Sequence, residues 1–176
     1  DWSWSRGLGD VYKRQMNILV VIEHSQGSIH RLSKEAIVGA QSLGNNVTAL
    51  VIGERLEETI SFLKACDIER VFTVEHELVK SYNADGYSSI VCQVIDTLSP
   101  NLVIAGHTYQ TRDFMPRVSA KLRIPFIPDI VSVSDNKYIK QVLNAKLNAE
   151  ISSSMNRFIL SFQSAAFSEE DLKLGS

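Results

Sequence analysis

Four apolar runs, each followed by a helical pattern, constrain this chain more than any other feature. They are "NILVVIEH" (Asn17–His24), "NVTALVIG" (Asn46–Gly53), "RVFTVEH" (Arg70–His76) and "NLVIAGH" (Asn101–His107). The first is continuous rather than alternating, as in a strand buried on both faces, and the other three read as strands that follow it. Between them, Leu32, Ala36, Ala40 and Leu43 share one helical face that closes at Gly44-Asn45. Leu56, Ile60 and Leu63 mark a second helix, and a third is expected from about Ala84 to Leu98, stopped by Ser99-Pro100. After the fourth run, Phe114, Met115, Val118 and Leu122 make another buried face. Four successive β-α units imply a parallel sheet with right-handed crossovers. The fold expected is a doubly wound, mostly parallel α/β sheet with helices on both faces.

The texture changes after Pro125 and Pro128. "DIVSVS" (Asp129–Ser134), "YIKQVLNAKLNAEIS" (Tyr138–Ser152) and "RFILSFQS" (Arg157–Ser164) read as strands joined by polar turns such as Asp135-Asn136. They are expected to add antiparallel strands at one sheet edge near the C-terminus. The domain spans residues 16–167, and the polar, acidic residues 168–176 read as the start of an interdomain linker. Residues 1–15, "DWSWSRGLGDVYKRQ", carry two tryptophans without periodicity and two glycines, and read as a non-native or disordered extension.

A chain of 176 residues with a formal net charge of −2 excludes a broad nucleic-acid footprint. No apolar run reaches the length of a membrane span. Cys66 and Cys92 stand far apart, excluding a CxxC motif and reading as reduced, buried thiols of a cytoplasmic protein.

In an open parallel sheet, ligands bind beyond the carboxyl ends of the strands, near a switch in strand order. The loop "EHSQGSIH" after the first run lacks the glycines or GK[ST] ending of a phosphate cradle. His24, His76 and His107 end three of the runs, but no pair shares a helix at i,i+4. They read as partly exposed strand-end histidines, with no metal site. No nucleophile elbow or paired-carboxylate arrangement stands out, so no catalytic residue is assigned. The stretch "AGHTYQTRDFMPRVSAKL" (Ala105–Leu122) is the richest. Gly106 permits close backbone approach. Asp113 is expected to cap the following helix through the amide of Met115, and to pair with Arg117 four residues on. His107, Thr108 and Arg112 then stand free to face a ligand or a partner protein.

These residues carry a resemblance. A first strand closing on Glu-His, the segment Ala105, Gly106, Thr108, Arg112, Asp113, Pro116 and Arg117, the later Asp129 in "PDIVSV", and final strands closing on "SAAF" follow one another in order. The chain from Met16 to Phe167 resembles the amino-terminal domain of the electron transfer flavoprotein alpha subunit, an adenine nucleotide alpha hydrolase-like fold. It departs from the family pattern at Thr111, where glycine is usual, at Lys140-Gln141 and Ala145-Lys146, where Arg-Pro and Gly-Asn are common, and at Gln163.

The resemblance implies an electron carrier rather than an enzyme, serving fatty acid β-oxidation. It implies a heterodimer with a beta subunit, receiving electrons from acyl-CoA and other dehydrogenases and delivering them to a quinone oxidoreductase. FAD is then held mainly by a carboxy-terminal domain that this sequence does not contain, and no cofactor is expected on this chain alone. A different reading is a stand-alone adenine-nucleotide-binding module similar to universal stress proteins, with Thr108 and Arg112 contributing to the nucleotide.

Overall fold

The computed structural model describes residues 16–134 and 137–175. The extension at 1–15, the Asp135-Asn136 turn and Ser176 lie outside the described residues.

Strand β1 (Asn17–Ile22) is the heart of the sheet, with Ile18 to Ile22 between 0% and 6% exposed. Each such side chain contributes roughly 1.5–3 kcal/mol of hydrophobic stabilisation when fully buried. A two-residue ribbon, β2 (His24–Ser25) with β3 (Ser28–Ile29), leads into helix α1 (Arg31–Leu43). His30 caps that helix, Nδ1 accepting from the amide of Leu32 at 3.2 Å. Strand β4 (Asn46–Ile52) pairs parallel to β1, and after helix α2 (Glu57–Ala65) strand β5 (Arg70–Val74) pairs parallel to β4. Helix α3 (Ala84–Leu98) starts on Asn83, whose side chain accepts from Gly86, and ends on Ser99 in the left-handed region. Strand β6 (Leu102–Gly106), entirely buried, then returns to the other side of β1.

Helix α4 (Tyr109–Leu122) corrects one expectation. Its N-cap is Thr108, whose Oγ1 accepts from the amide of Thr111 at 3.1 Å, so Asp113 lies inside the helix and caps nothing. The earlier start adds residues 109–113 to the helix, buries Thr111 against the sheet and frees the Asp113 carboxylate for other partners. The cost is Pro116 in the helix interior, which removes the N–H that the Arg112 carbonyl would accept. Asp113 instead accepts from the Tyr82 hydroxyl at 2.9 Å and pairs with Arg117 at 3.4 Å.

The remaining strands are β7 (Phe126–Ser134), β8 (Lys137–Val142), β9 (Leu147–Ile151) and β10 (Phe158–Phe162). The sheet order is β5-β4-β1-β6-β10-β7-β8-β9. Strands β8 and β9 are the antiparallel edge. Strand β10 is not: it slots between β6 and β7, parallel to both. Its sequence, FILSF, is buried at all five positions like β6, whereas β5, at the opposite edge of the sheet, has no buried position.

Helices α1 and α2 cover one face, packing Ala36, Ile37, Ala40 and Leu63 on Ile18, Val20, Val47 and Ile104. Helices α3 and α4 cover the other, packing Val91, Ile95, Met115 and Val118 on Leu19, Leu50 and Val103. The fold is thus the doubly wound α/β arrangement, with antiparallel strands near the C-terminus.

Residues 164–175 run back along α1. Ala165 donates its amide to the buried Glu35 at 2.7 Å, and Gln41 exchanges hydrogen bonds with the backbone of Lys173 at 3.0 Å each way. The Phe162 and Phe167 rings lie directly over Gly39, where a Cβ would meet them at 2.6 and 2.8 Å. Lys34 pairs with Glu169 at 3.1 Å.

Candidate functional site

The strand order reverses at β1: the chain steps first to β4 and β5, then crosses to β6 on the far side. The crevice beyond the carboxyl ends of β1 and β6 is therefore where this architecture would take a ligand. Glu23 follows β1, and His107 and Thr108 follow β6.

The protein fills this crevice itself. Thr108 Oγ1, besides capping α4, donates to Glu23 Oε2. The amide of Glu23 donates to Ser33 Oγ at 2.8 Å, and its carbonyl accepts from the amide of His30 at 2.9 Å. Gly106 does permit a close approach, but what approaches is α1. A Cβ on Gly106 would lie 2.6 Å from Leu32 Cβ and 2.9 Å from its backbone. Thr108 and Thr111 are both buried.

His107 turns the other way, toward β10 and β7. Its Nδ1 lies 2.8 Å from Ser161 Oγ, and its Nε2 lies 3.8 Å from Asp129 Oδ1. Ser161 Oγ also accepts from the amide of Asp129 at 3.2 Å. Nε2 faces the Asp129 carboxylate, which can only accept, so Nε2 carries the ring proton and Nδ1 accepts from the Ser161 hydroxyl. Burial lowers the imidazole pKa below its ordinary value; Asp129 pulls it up, while Arg112 and Lys140 push it further down. The neutral ring matches this hydrogen-bond pattern. Ser161 is fully buried, so the His-Ser-Asp set braces three strand ends and presents no nucleophile. Asp129 holds its place with φ of +66°.

Arg112 is exposed, its guanidinium 5.6 Å from the centroid of the exposed Tyr109 ring. The sequence thus places His107, Thr108 and Arg112 at one sheet edge, but the fold sends them in three directions. His24 and His76 are separated as well: His24 Nε2 is 3.1 Å from the Ile52 carbonyl, and His76 Nδ1 accepts from Leu78 at 3.1 Å. Among the described residues, no group of three His, Cys, Asp or Glu is placed to hold a metal ion. No helix among them is long and apolar enough to cross a membrane. Cys66 is buried and Cys92 half-buried, both as free thiols whose pKa burial pushes up.

The model of the electron transfer flavoprotein domain family matches residues 18–174, nearly all of the described fold. The chain belongs to this family. Among relatives, the electron transfer flavoprotein subunit alpha of Bacillus subtilis (strain 168) is 31% identical over 119 residues, 66% of this chain and 37% of that protein. The acryloyl-CoA reductase electron transfer subunit beta of Anaerotignum propionicum is 26% identical over 143 residues, 78% of this chain and 39% of that protein. The lactate dehydrogenase (NAD(+),ferredoxin) subunit LctC of Acetobacterium woodii is 27% identical over 131 residues, 71% of this chain and 31% of that protein. The chain spans roughly a third of the length of each.

Flavin is the cofactor the family name carries, and the strand-reversal crevice of this electron transfer flavoprotein domain does not fit it. The reversal crevice is closed by Glu23 and Thr108. The cleft beside it, beyond β4 and β5, is about 170 Å³, below the roughly 300–1,000 Å³ typical of ligand pockets. A hollow of about 400 Å³ beside residues 165–170 is open to solvent and is lined on the other side by Arg31 and Glu35 of α1.

Proposed function

We propose that this domain is the scaffold and partner-binding domain of an electron transfer flavoprotein alpha subunit. On this reading, the complete assembly carries electrons from acyl-CoA and other dehydrogenases through FAD to an acceptor such as a quinone oxidoreductase. FAD sits on polypeptide outside the described residues, and a beta subunit completes the heterodimer. The domain is not catalytic by itself. The observation that carries the reading is the Thr108–Glu23 hydrogen bond. A module built to bind nucleotide keeps its strand-reversal crevice open, whereas here a buried hydroxyl and a carboxylate seal it. His107 and Thr108 then serve as braces of the carboxyl edge, and Arg112, stacked on Tyr109, is the one of the three available to a partner.

The test is co-purification of this chain with an electron transfer flavoprotein beta subunit, read by light scattering during gel filtration. The expected result is a one-to-one complex in which the isolated domain brings no flavin absorbance. A domain that stays monomeric in the presence of the beta subunit, or that carries stoichiometric flavin alone, contradicts the proposal.

A further inference from the structure

The eight-stranded sheet ends in two open edges, β5 and β9. Strand β9 (Leu147–Ile151) pairs only with β8 among the described residues, through five consecutive partners with no bulge. An uncovered edge offers a row of unpaired N–H and C=O groups to another strand, and proteins usually blunt it with proline, lysine or a bulge. The β9 sequence, LNAEI, has none of these. Its one charge, Glu150, is paired with Lys137 of β8 at 2.6 Å. We propose that the β9 edge is a homodimerisation surface, which pairs antiparallel with β9 of a second copy of this chain about a two-fold axis at Ala149.

The strand's own sequence points to a second copy as the occupant. In an antiparallel pair centred on Ala149, Leu147 lies opposite Ile151 of the copy and Asn148 lies opposite its Glu150, each pair occurring twice. Apolar meets apolar, an amide meets a carboxylate, and the axis falls on a side chain small enough to pass itself. Side chains alternate along a strand, so Leu147, Ala149 and Ile151 share one face. On that face Ile151 already packs on the core beside Tyr138, its partner in β8, whereas Leu147 is 58% exposed. The pairing sets Leu147 against Ile151 of the copy and extends an apolar surface that otherwise ends in solvent.

Two flanking residues follow the same symmetry. Leu143 is exposed in the turn that precedes β9, and Met155 is exposed in the loop that follows it. The axis at Ala149 brings the Leu143 turn of one copy beside the Met155 loop of the other. The Lys137 pair in each copy offsets repulsion between the two Glu150 carboxylates across the axis. Strand β5, the opposite edge, has no such register: centred on Phe72, it sets Arg70 against Val74. The proposal is independent of the beta-subunit reading, since it concerns this chain alone.

Sedimentation equilibrium of the chain by itself tests it, from about 10 µM to about 1 mM. Two short edges bury less than the roughly 1,200–2,000 Å² of stable complexes, so the expected result is a monomer–dimer equilibrium with Kd on the order of 100 µM. Asn148 and Thr73 are both exposed, so their variants keep the fold. Asn148→Glu puts a carboxylate opposite Glu150 of the copy twice per dimer and is expected to weaken dimerisation about tenfold. Asn148→Lys puts an ammonium there and is expected to strengthen it. Thr73→Lys, on the β5 edge, is expected to change nothing. A chain that stays monomeric at about 1 mM overturns the proposal. So does an unchanged Kd in both Asn148 variants, or loss of the dimer in Thr73→Lys, which moves the interface to β5. A monomeric chain whose complex with a beta subunit is lost in Asn148→Glu also overturns it, and assigns the edge to that subunit.

Discussion

Thr108 and Glu23, the residues that follow the two central strands on either side of the chain reversal, are joined by a hydroxyl-to-carboxylate hydrogen bond. The same Thr108 oxygen caps α4. One side chain therefore starts a helix and closes the place where a sheet of this kind would admit a ligand.

Replacing Thr108 with valine keeps the shape and removes both functions. The cap loss alone is worth about 1 kcal/mol, and the unpaired Glu23 adds to it, so destabilisation of about 1–3 kcal/mol is expected. Thr108→Ser is expected to stay within about 0.5 kcal/mol of the parent, because its hydroxyl serves both partners. Urea unfolding of the three proteins checks the order.

Gly106→Ala tests why a glycine ends β6. The added Cβ meets Leu32 Cβ at 2.6 Å and Leu32 backbone at 2.9 Å, so α1 must move. Overpacking of this kind costs on the order of 1–3 kcal/mol. Shortening Leu32 to alanine is not expected to rescue it, because the atoms in the way remain. Thermal unfolding of the single and double variants decides.

The His107 network makes stability depend on pH. The folded-state pKa lies below the ordinary value of 6.5, so the unfolded chain takes up the proton first. Stability is then complete above pH 6.5 and falls as pH drops through 6.5 toward the folded pKa. Protonation also turns Nδ1 into a donor and displaces the Ser161 hydrogen that now points to it. Denaturant midpoints at pH 7.5 and 5.5 are expected to differ less in His107→Asn than in the parent.

Glu35 and Gln41 hold residues 164–175 against α1. Glu35→Ala leaves the Ala165 amide without its acceptor and Arg31 without the pair it makes at 3.5 Å. Loss of a buried partner costs about 1–3 kcal/mol, which is local to this segment. Limited proteolysis is expected to cleave the tail of Glu35→Ala several-fold faster while the sheet core stays resistant.

The architecture was legible where burial is two-sided. Continuous apolar runs marked β1, β4 and β6, and their succession with helices fixed the parallel order. The same signal was present in "FILSF", but its place after an antiparallel hairpin suggested an edge, whereas it fills the gap that the β6-α4-β7 crossover leaves open. The helix starts at Thr108 rather than Asp113, and the long-range partners that go with this start, Glu23 for the Thr108 hydroxyl and Tyr82 for the Asp113 carboxylate, are 85 and 31 residues away and invisible to local cap rules. The Ser161 and Asp129 partners of His107 were invisible because they come from strands 22 and 54 residues away in sequence, brought together only by the insertion of β10. Composition also does not reveal that Glu169 and Lys173, within the polar stretch 168–176, are held by Lys34 and Gln41 of α1.

The sealed crevice is the central claim, and adenosine titrated into the ¹⁵N-labelled chain tests it most directly. The amides of Glu23, His107 and Thr108 report on the crevice, and the account predicts that none of them shifts. A saturable shift at these three amides would mean that the Thr108–Glu23 contact opens for a nucleoside, and would contradict it.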